Sequence, residues 1–333
     1  MSADYTDRYG APINPLISDG QGGFFVPEVW DLETRRKMQP LRAFRQFAKN
    51  INELDGGANG DTVHVIKRED INTAGTSLTA GTIIPRHSFT EGTITYSPAE
   101  WGNAISPQAR WLKLSPYALQ NEVTDVLARD SAQALDLEVR RCLMSGISEG
   151  TNAFTMGGGG TIVGTTKPVG GAGTAGTASY RMTAYGVWNA VDYLSGQDCP
   201  MIERDGLAPG YVGILHPAQA RGVKRDSGFV DVSLYGRPGN IFNNEIGKWE
   251  GVYWIESTNG WVDATNTLDY GALILGANAF GEDVVQEVQV RVDPPTDFGR
   301  QLHFAWYADL DFQVEWANRI ACIFSLTGAA DAS

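Results

Sequence analysis

One long helical pattern, Ser115 to Ser145, constrains this chain more than any other feature, because the rest reads as strands, loops and glycine. Ser115 suits an N-cap, since its hydroxyl can accept from an orphaned N–H. Pro116 follows at the first helical position, where a missing N–H costs nothing. Leu119, Val123, Val126, Leu127, Ala134, Leu135, Val139 and Leu143 form an apolar stripe, with Glu122, Asp125, Arg129, Asp130, Arg140 and Arg141 around it. Gly146 is the expected stop. About 30 residues at 1.5 Å each make a rod of roughly 45 Å, longer than a compact small domain requires. A long stretch without a core of its own precedes it and a glycine-rich segment follows. The helix therefore reads as a spine carrying outlying parts, in a chain suited to assembly with its own copies.

With 333 residues, 42% of them hydrophobic, the chain can bury a substantial core, as two domains or as one with large excursions. No run approaches the roughly 18 apolar residues that span a bilayer. The first residues have neither the basic start nor the apolar stretch of a signal peptide, so a cytoplasmic protein is expected. Cys142, Cys199 and Cys322 are far apart and odd in number, which suits reduced, buried thiols. The formal charge of −13 disfavours a general nucleic-acid binder, which needs a basic stripe to displace counterions from phosphate. Glycines are densest between Met156 and Gly176, where backbone entropy argues for a surface loop or mobile hairpin.

The first 25 residues are polar and end in Gly22-Gly23-Phe24-Phe25, the pattern of an arm that orders only against a neighbour. From Pro27 the spacing turns helical: Val29, Trp30, Leu32, Met38, Leu41, Phe44 and Phe47 alternate with Arg35, Arg36, Lys37, Arg42 and Arg45, predicting an amphipathic helix with a basic polar side. Asp61 to Lys67, Thr93 to Tyr96 and Asn103 to Ile105 read as strands. The polar stretch between the first two, with Pro85, makes the tip of a long outward hairpin. After the glycine-rich segment, Met182, Tyr185, Trp188, Val191 and Leu194 mark a second helix. Tyr211 to Leu215, Val252 to Ile255 and Leu273 to Leu275 read as buried strands, with a short helix starting at His216-Pro217-Ala218. Val284 to Leu326 is strand throughout, expected to return beneath the spine helix.

Several catalytic patterns are weak. Gly171 to Gly176 satisfies G-x-G-x-x-G, but no buried strand precedes it, so no dinucleotide site is expected. The four histidines lack zinc spacing, and no nucleophile elbow is present. Neither a cofactor nor a metal is expected. Asp309, Asp311 and Glu315 alternate with Leu310, Phe312, Val314 and Trp316, which would put three carboxylates on one strand face. That is compatible with glycosidic acid–base chemistry or a calcium site, or with a merely solvated face, which is the reading favoured. Trp188, Trp254, Trp306 and Trp316 read as core rather than as carbohydrate-stacking rings; exposed tryptophans would instead mark a monomeric carbohydrate-binding module.

The order of parts, together with Gly60-Asp61-Thr62-Val63, Gly81 to Gly92 (GTIIPRHSFTEG), Ala134-Leu135-Asp136, Gly210 to Asp231 and Asn240 to Ser257, resembles the major capsid proteins of tailed bacteriophages. That family has the Hong Kong 97 fold, and the wording is similar to its N-four-like branch. The resemblance implies an α+β chain divided into an N-terminal arm (1–26), an N-terminal helix region (27–60), an extended loop (61–110), a peripheral-domain segment with spine helix and glycine-rich loop (111–180), an axial domain (181–283) and peripheral returning strands (284–333). It implies a structural, non-enzymatic protein forming pentamers and hexamers of an icosahedral head around double-stranded DNA, which it contacts weakly. Candidate subunit-interface residues are then Phe24, Phe25 and Trp30 in the arm and Arg86, His87, Phe89 and Glu91 at the loop tip. The chain lacks a long charged helical N-terminal segment, so a separate scaffolding protein, or prior cleavage, is implied, beside a portal and a decoration protein. The expected location is the virion, after assembly in the host cytoplasm, with no membrane partner. The alternative is a virion-associated β-rich glycosidase using Asp309, Asp311 and Glu315.

Overall fold

The computed structural model describes residues 43–51, 62–69, 91–108, 119–157, 162–164, 180–203, 208–226, 245–263, 269–298 and 300–326, with residues 75, 77–78, 80–81, 83–84 and 86–88 between them. In chain order the strands are β1 (Lys49–Asn50), β2 (Val63–Arg68), β3 (Glu91–Tyr96), β4 (Ala99–Ile105), β5 (Ala153–Met156), β6 (Ile162–Gly164), β7 (Tyr211–Leu215), β8 (Glu245–Trp249), β9 (Val252–Glu256), β10 (Trp261–Val262), β11 (Asp269–Leu275), β12 (Phe280–Thr296), β13 (Gln301–Val314) and β14 (Ile320–Leu326). The helices are α1 (Leu119–Ser145), α2 (Ala184–Gly196) and α3 (Pro217–Lys224). No helix among the described residues is long and apolar enough to cross a membrane.

These strands form three sheets. One runs β6-β5-β14-β11-β7-β9-β8, with β10 also on β11; a second runs β1-β12-β13-β4; the third is the β2–β3 hairpin alone. Strands β7 (YVGIL) and β14 (IACIFSL) are nearly continuous apolar runs because the large sheet is covered on both faces. On one face, Val212, Ile214, Leu273, Leu275, Cys322 and Phe324 join a core that includes Val139 and Leu143 of α1. On the other, Tyr211, Leu215, Ile274 and Ile323 meet Val187, Ala190 and Leu194 of α2 and Ala220 and Val223 of α3. The fold is thus mixed α+β.

The spine helix lies over the four-stranded sheet. Val123, Leu127, Leu135, Val139 and Leu143 are buried, and so is Ser131, whose hydroxyl donates to the Ala128 carbonyl at 3.0 Å. Buried residues therefore recur every fourth position. Such a row drifts around the helix, which is why Val126, though apolar, falls outside it and is exposed. Trp306 of β13 and Asn103 of β4 both donate to Asp130 Oδ2, at 2.7 and 3.0 Å, fixing the helix across the two strands. The helix stops before Gly146 as expected, and close packing favours a glycine at that position. A Cβ there would lie 3.2 Å from the Val314 methyls and 3.3 Å from Ile320 Cδ1. The cap residues Ser115 and Pro116 lie outside the described residues.

Several expectations change. Most of the helix predicted from Pro27 lies outside the described residues, and its end, Arg45–Phe47, is a 3-10 turn followed by β1. Arg45 does not belong to a solvated basic face: it is buried and pairs with Glu282 and Glu287 of β12. The 284–326 run is split by pairing. Strands β12 and β13 stay together under α1, whereas β14 pairs with β11 antiparallel and β5 parallel in the large sheet. At the start of the glycine-rich segment β5 pairs antiparallel with β6, while residues 158–161 and those beyond Gly164 lie outside the described residues. Trp254 and Trp306 are core residues, but Trp188 is exposed on α2 because it falls on the side opposite Val187 and Ala190. All three cysteines are free thiols.

Candidate subunit-contact surface

Strands β2 and β3 pair antiparallel from Val63↔Tyr96 to Arg68↔Glu91, in their own sheet. A two-stranded ribbon is too narrow to build a core of its own, so its side chains remain open unless something else covers them. Ile66, Leu78, Ile83 and Ile84 all lie in this excursion and are exposed, Ile83 to 86%. They make up four of the ten large exposed hydrophobic residues among the described residues, far more than this short segment's share. Isolated exposed aliphatics are ordinary; four of them within one excursion make it a candidate contact surface.

Of the residues singled out from sequence, Arg86 and His87 are exposed on the segment between β2 and β3. Glu91 opens β3 and pairs with Arg68 across the ribbon at 3.3 Å, an exposed pair of small energetic weight. Phe89, Phe24, Phe25 and Trp30 lie outside the described residues. The aliphatics were missed because Leu78, Ile83 and Ile84 stand singly or paired among small polar residues, with no period to reveal them. A further exposed aromatic, Phe298, sits at the β12–β13 turn, where Asp297 and Phe298 adopt φ of 51° and 55°.

The acidic strand does not form a carboxylate cluster of the kind a glycosidase needs. Asp309 and Asp311 alternate with the buried Ala308, Leu310 and Phe312, but Glu315 lies beyond the end of β13 and is itself buried. Asp311 accepts from the backbone N–H groups of Ser97 and Phe312, both at 2.8 Å, and from the Gln313 amide at 3.0 Å. Glu315 is paired with Lys49 at 3.3 Å. Burial and the neighbouring Glu100 raise the Asp309 carboxyl above its usual range. Asp311 and Glu315 are thus engaged in holding strands together. Among the described residues, no group of His, Cys, Asp and Glu is placed to hold a metal ion.

Neither a protein-family model nor a curated protein sequence matches the chain. Solved structures do. The capsid of Ralstonia phage GP4 superposes with a TM-score of 0.60 at 15% identity, covering 89% of this chain and 92% of its own. The cyanophage Pam1 capsid asymmetric unit gives 0.59 at 13%, covering 99% and 100%, and the head of Helicobacter pylori bacteriophage KHP40 gives 0.58 at 13%, covering 86% and 91%. At such identities it is the backbone arrangement that is common, and it is common over nearly the whole chain. The chain therefore has the fold of tailed-phage capsid proteins.

Proposed function

We propose that this chain is a major capsid protein, assembling with copies of itself into the icosahedral shell of a phage head around double-stranded DNA. The observation carrying this reading is that end-to-end likeness to capsid subunits, combined with a projecting ribbon whose exposed aliphatics have no core of their own to enter. A closed shell places one subunit in both pentameric and hexameric settings, so it needs a rigid body and reaching parts. Two packed cores supply the first and the β2–β3 excursion the second. Each contact is individually weak, but a subunit held by several neighbours gains avidity.

In this reading, residues 61–110 act as the extended loop, 181–283 as the axial domain, and 111–180 with 284–333 as the peripheral domain. Residues 1–26 act as an arm carrying Phe24 and Phe25, with Trp30 just beyond in the helix region 27–60. Arg86, His87, Phe89 and Glu91 contact a neighbour at the loop tip. A net charge of −13 fits an inner surface that holds DNA loosely enough for packing and release. A scaffolding protein, a portal and a decoration protein are the further partners. Assembly takes place in the host cytoplasm, and the wording of the loop-tip and axial stretches favours the N-four-like branch. Nothing in this role requires catalysis or a cofactor.

Electron microscopy of the protein expressed alone and with its neighbouring genes tests this directly. Closed particles or capsomer rings are the expected result; a uniform monomer under both conditions overturns it.

A further inference from the structure

The ribbon is largely open, but one strand is held at its root and the other near the outer end of the paired residues. Tyr96, the last residue of β3, is fully buried, in contrast to the exposed residues farther out. Its hydroxyl donates to Glu315 Oε1 at 3.4 Å, and the same carboxylate accepts from Lys49 Nζ at 3.3 Å on both oxygens. Gly281 makes room for this contact. A Cβ there would overlap the Tyr96 hydroxyl and stand 3.0 Å from Glu315 Oε1, so a larger residue would displace the contact.

The other strand is held four residue pairs farther out, since Tyr96 faces Val63 and Lys67 faces Gly92. Lys67 Nζ of β2 sits 3.8 Å from the ring centroid of Trp316, and Arg319 lies 4.9 Å from the same ring. Glu315 and Trp316 are themselves fixed, because both backbone N–H groups donate to the Ala279 carbonyl, at 3.0 and 3.1 Å. Beyond Tyr96 only Ser97 and Pro98 separate β3 from β4, which is locked to β13 from Leu310↔Ala99 to Phe304↔Ile105. Proline fixes one backbone angle of that joint, and Asp311 accepts from the Ser97 N–H. The ribbon thus leaves the body through a short joint, with one tether on each strand.

We infer that Glu315 and Trp316 form a socket that sets the direction in which the β2–β3 ribbon leaves the body, and with it the angle at which one subunit reaches the next. The second half rests on the shell reading; the first does not. Burial and the adjacent Glu315 push the Tyr96 phenol far above its ordinary range, so it remains a donor across all working pH. The Lys67 and Tyr96 tethers act on opposite strands of the ribbon, so together they resist twisting as well as bending.

The double variant Tyr96→Phe/Lys67→Met removes both tethers and leaves Glu315, Lys49 and Trp316 in place. Hydrogen exchange of the unassembled subunit, read by mass spectrometry, should then be roughly tenfold faster in β2 and β3, the factor expected for one hydrogen bond and one cation–π contact. Protection of α1 and β14 should be unchanged. Equal protection of the ribbon in variant and parent overturns the socket. If the double variant does not fold, Lys67→Met alone is read in the same way on β2. Electron microscopy of the same pair separates the two halves: altered particle size or curvature supports the second, and identical particles from a variant with a loosened ribbon overturn it. A parent protein that forms no particles defeats the shell reading while the exchange comparison still decides the socket.

Discussion

Asp136 holds three parts of the chain together through hydrogen bonds at the middle of the spine helix. Its Oδ1 accepts from the backbone N–H groups of Ala43 and Phe44 at 3.2 and 2.9 Å, and its Oδ2 from the Asn259 amide at 2.9 Å. One turn on, Arg140 donates to the carbonyls of Asn259 and Gly260, both at 3.1 Å. Burial raises the Asp136 carboxyl above its usual range, outweighing the lowering by Asn259 and the backbone donors. The folded state therefore holds this proton more tightly than the unfolded one. The group's contribution to stability is complete below the unfolded carboxylate value, about 4, and is lost as pH rises through the higher folded value. Asp136→Asn removes that dependence, so thermal unfolding at several pH values should show the variant gaining on the parent as pH rises; a constant difference would refute the assignment. Asp136→Ala strands two backbone donors and an amide, and denaturant unfolding should register a loss of about 2–5 kcal/mol. Burial likewise pushes the Cys199 thiol up to about 11. Cys199 and the fully buried Cys322 should resist thiol reagents at pH 8 until the protein is unfolded.

At the scale of elements, the spine helix and the ribbon are stabilised in opposite ways. The helix is fixed by a row of residues spaced by four, so Leu127→Ala or Leu135→Ala should cost about 2–5 kcal/mol in urea unfolding. Val126→Ala, one residue from Leu127 but exposed, should change stability by less than about 0.5 kcal/mol. Beyond the Tyr96 and Lys67 contacts the ribbon contributes little to the body. Because Arg68 and Glu91 stand directly opposite each other, residues 69–90 can be replaced by an Asn-Gly turn that closes the hairpin in register. That shortened chain should unfold at nearly the parent's midpoint yet fail to form closed particles, as judged by calorimetry and electron microscopy. Closed particles without the excursion would show that its aliphatics do not join subunits.

For the whole molecule, the large sheet is enclosed by α1 on one face and by α2 and α3 on the other, and the β2–β3 ribbon lies outside this enclosure. Local pattern determined much of this arrangement: the spine helix through its stripe, the hairpin strands through alternation, β7 and β14 through unbroken apolar runs, and the outward excursion through polar residues between two strands. These are nearest-neighbour properties, because a helix or strand declares itself in the spacing of its own side chains. Tertiary structure alone decided what each residue met. The basic residue Arg45 became a buried partner of Glu282 and Glu287, Glu315 left the acidic row for a pocket with Lys49 and Tyr96, Gly281 made way for a hydroxyl from another sheet, and β14 crossed to the larger sheet. Arg45 and Glu282 are 237 positions apart and Tyr96 and Glu315 are 219 apart, so no window along the sequence contains both partners. Their pairing follows from burial, which makes an unpaired polar group costly and so selects whichever partner the fold brings near.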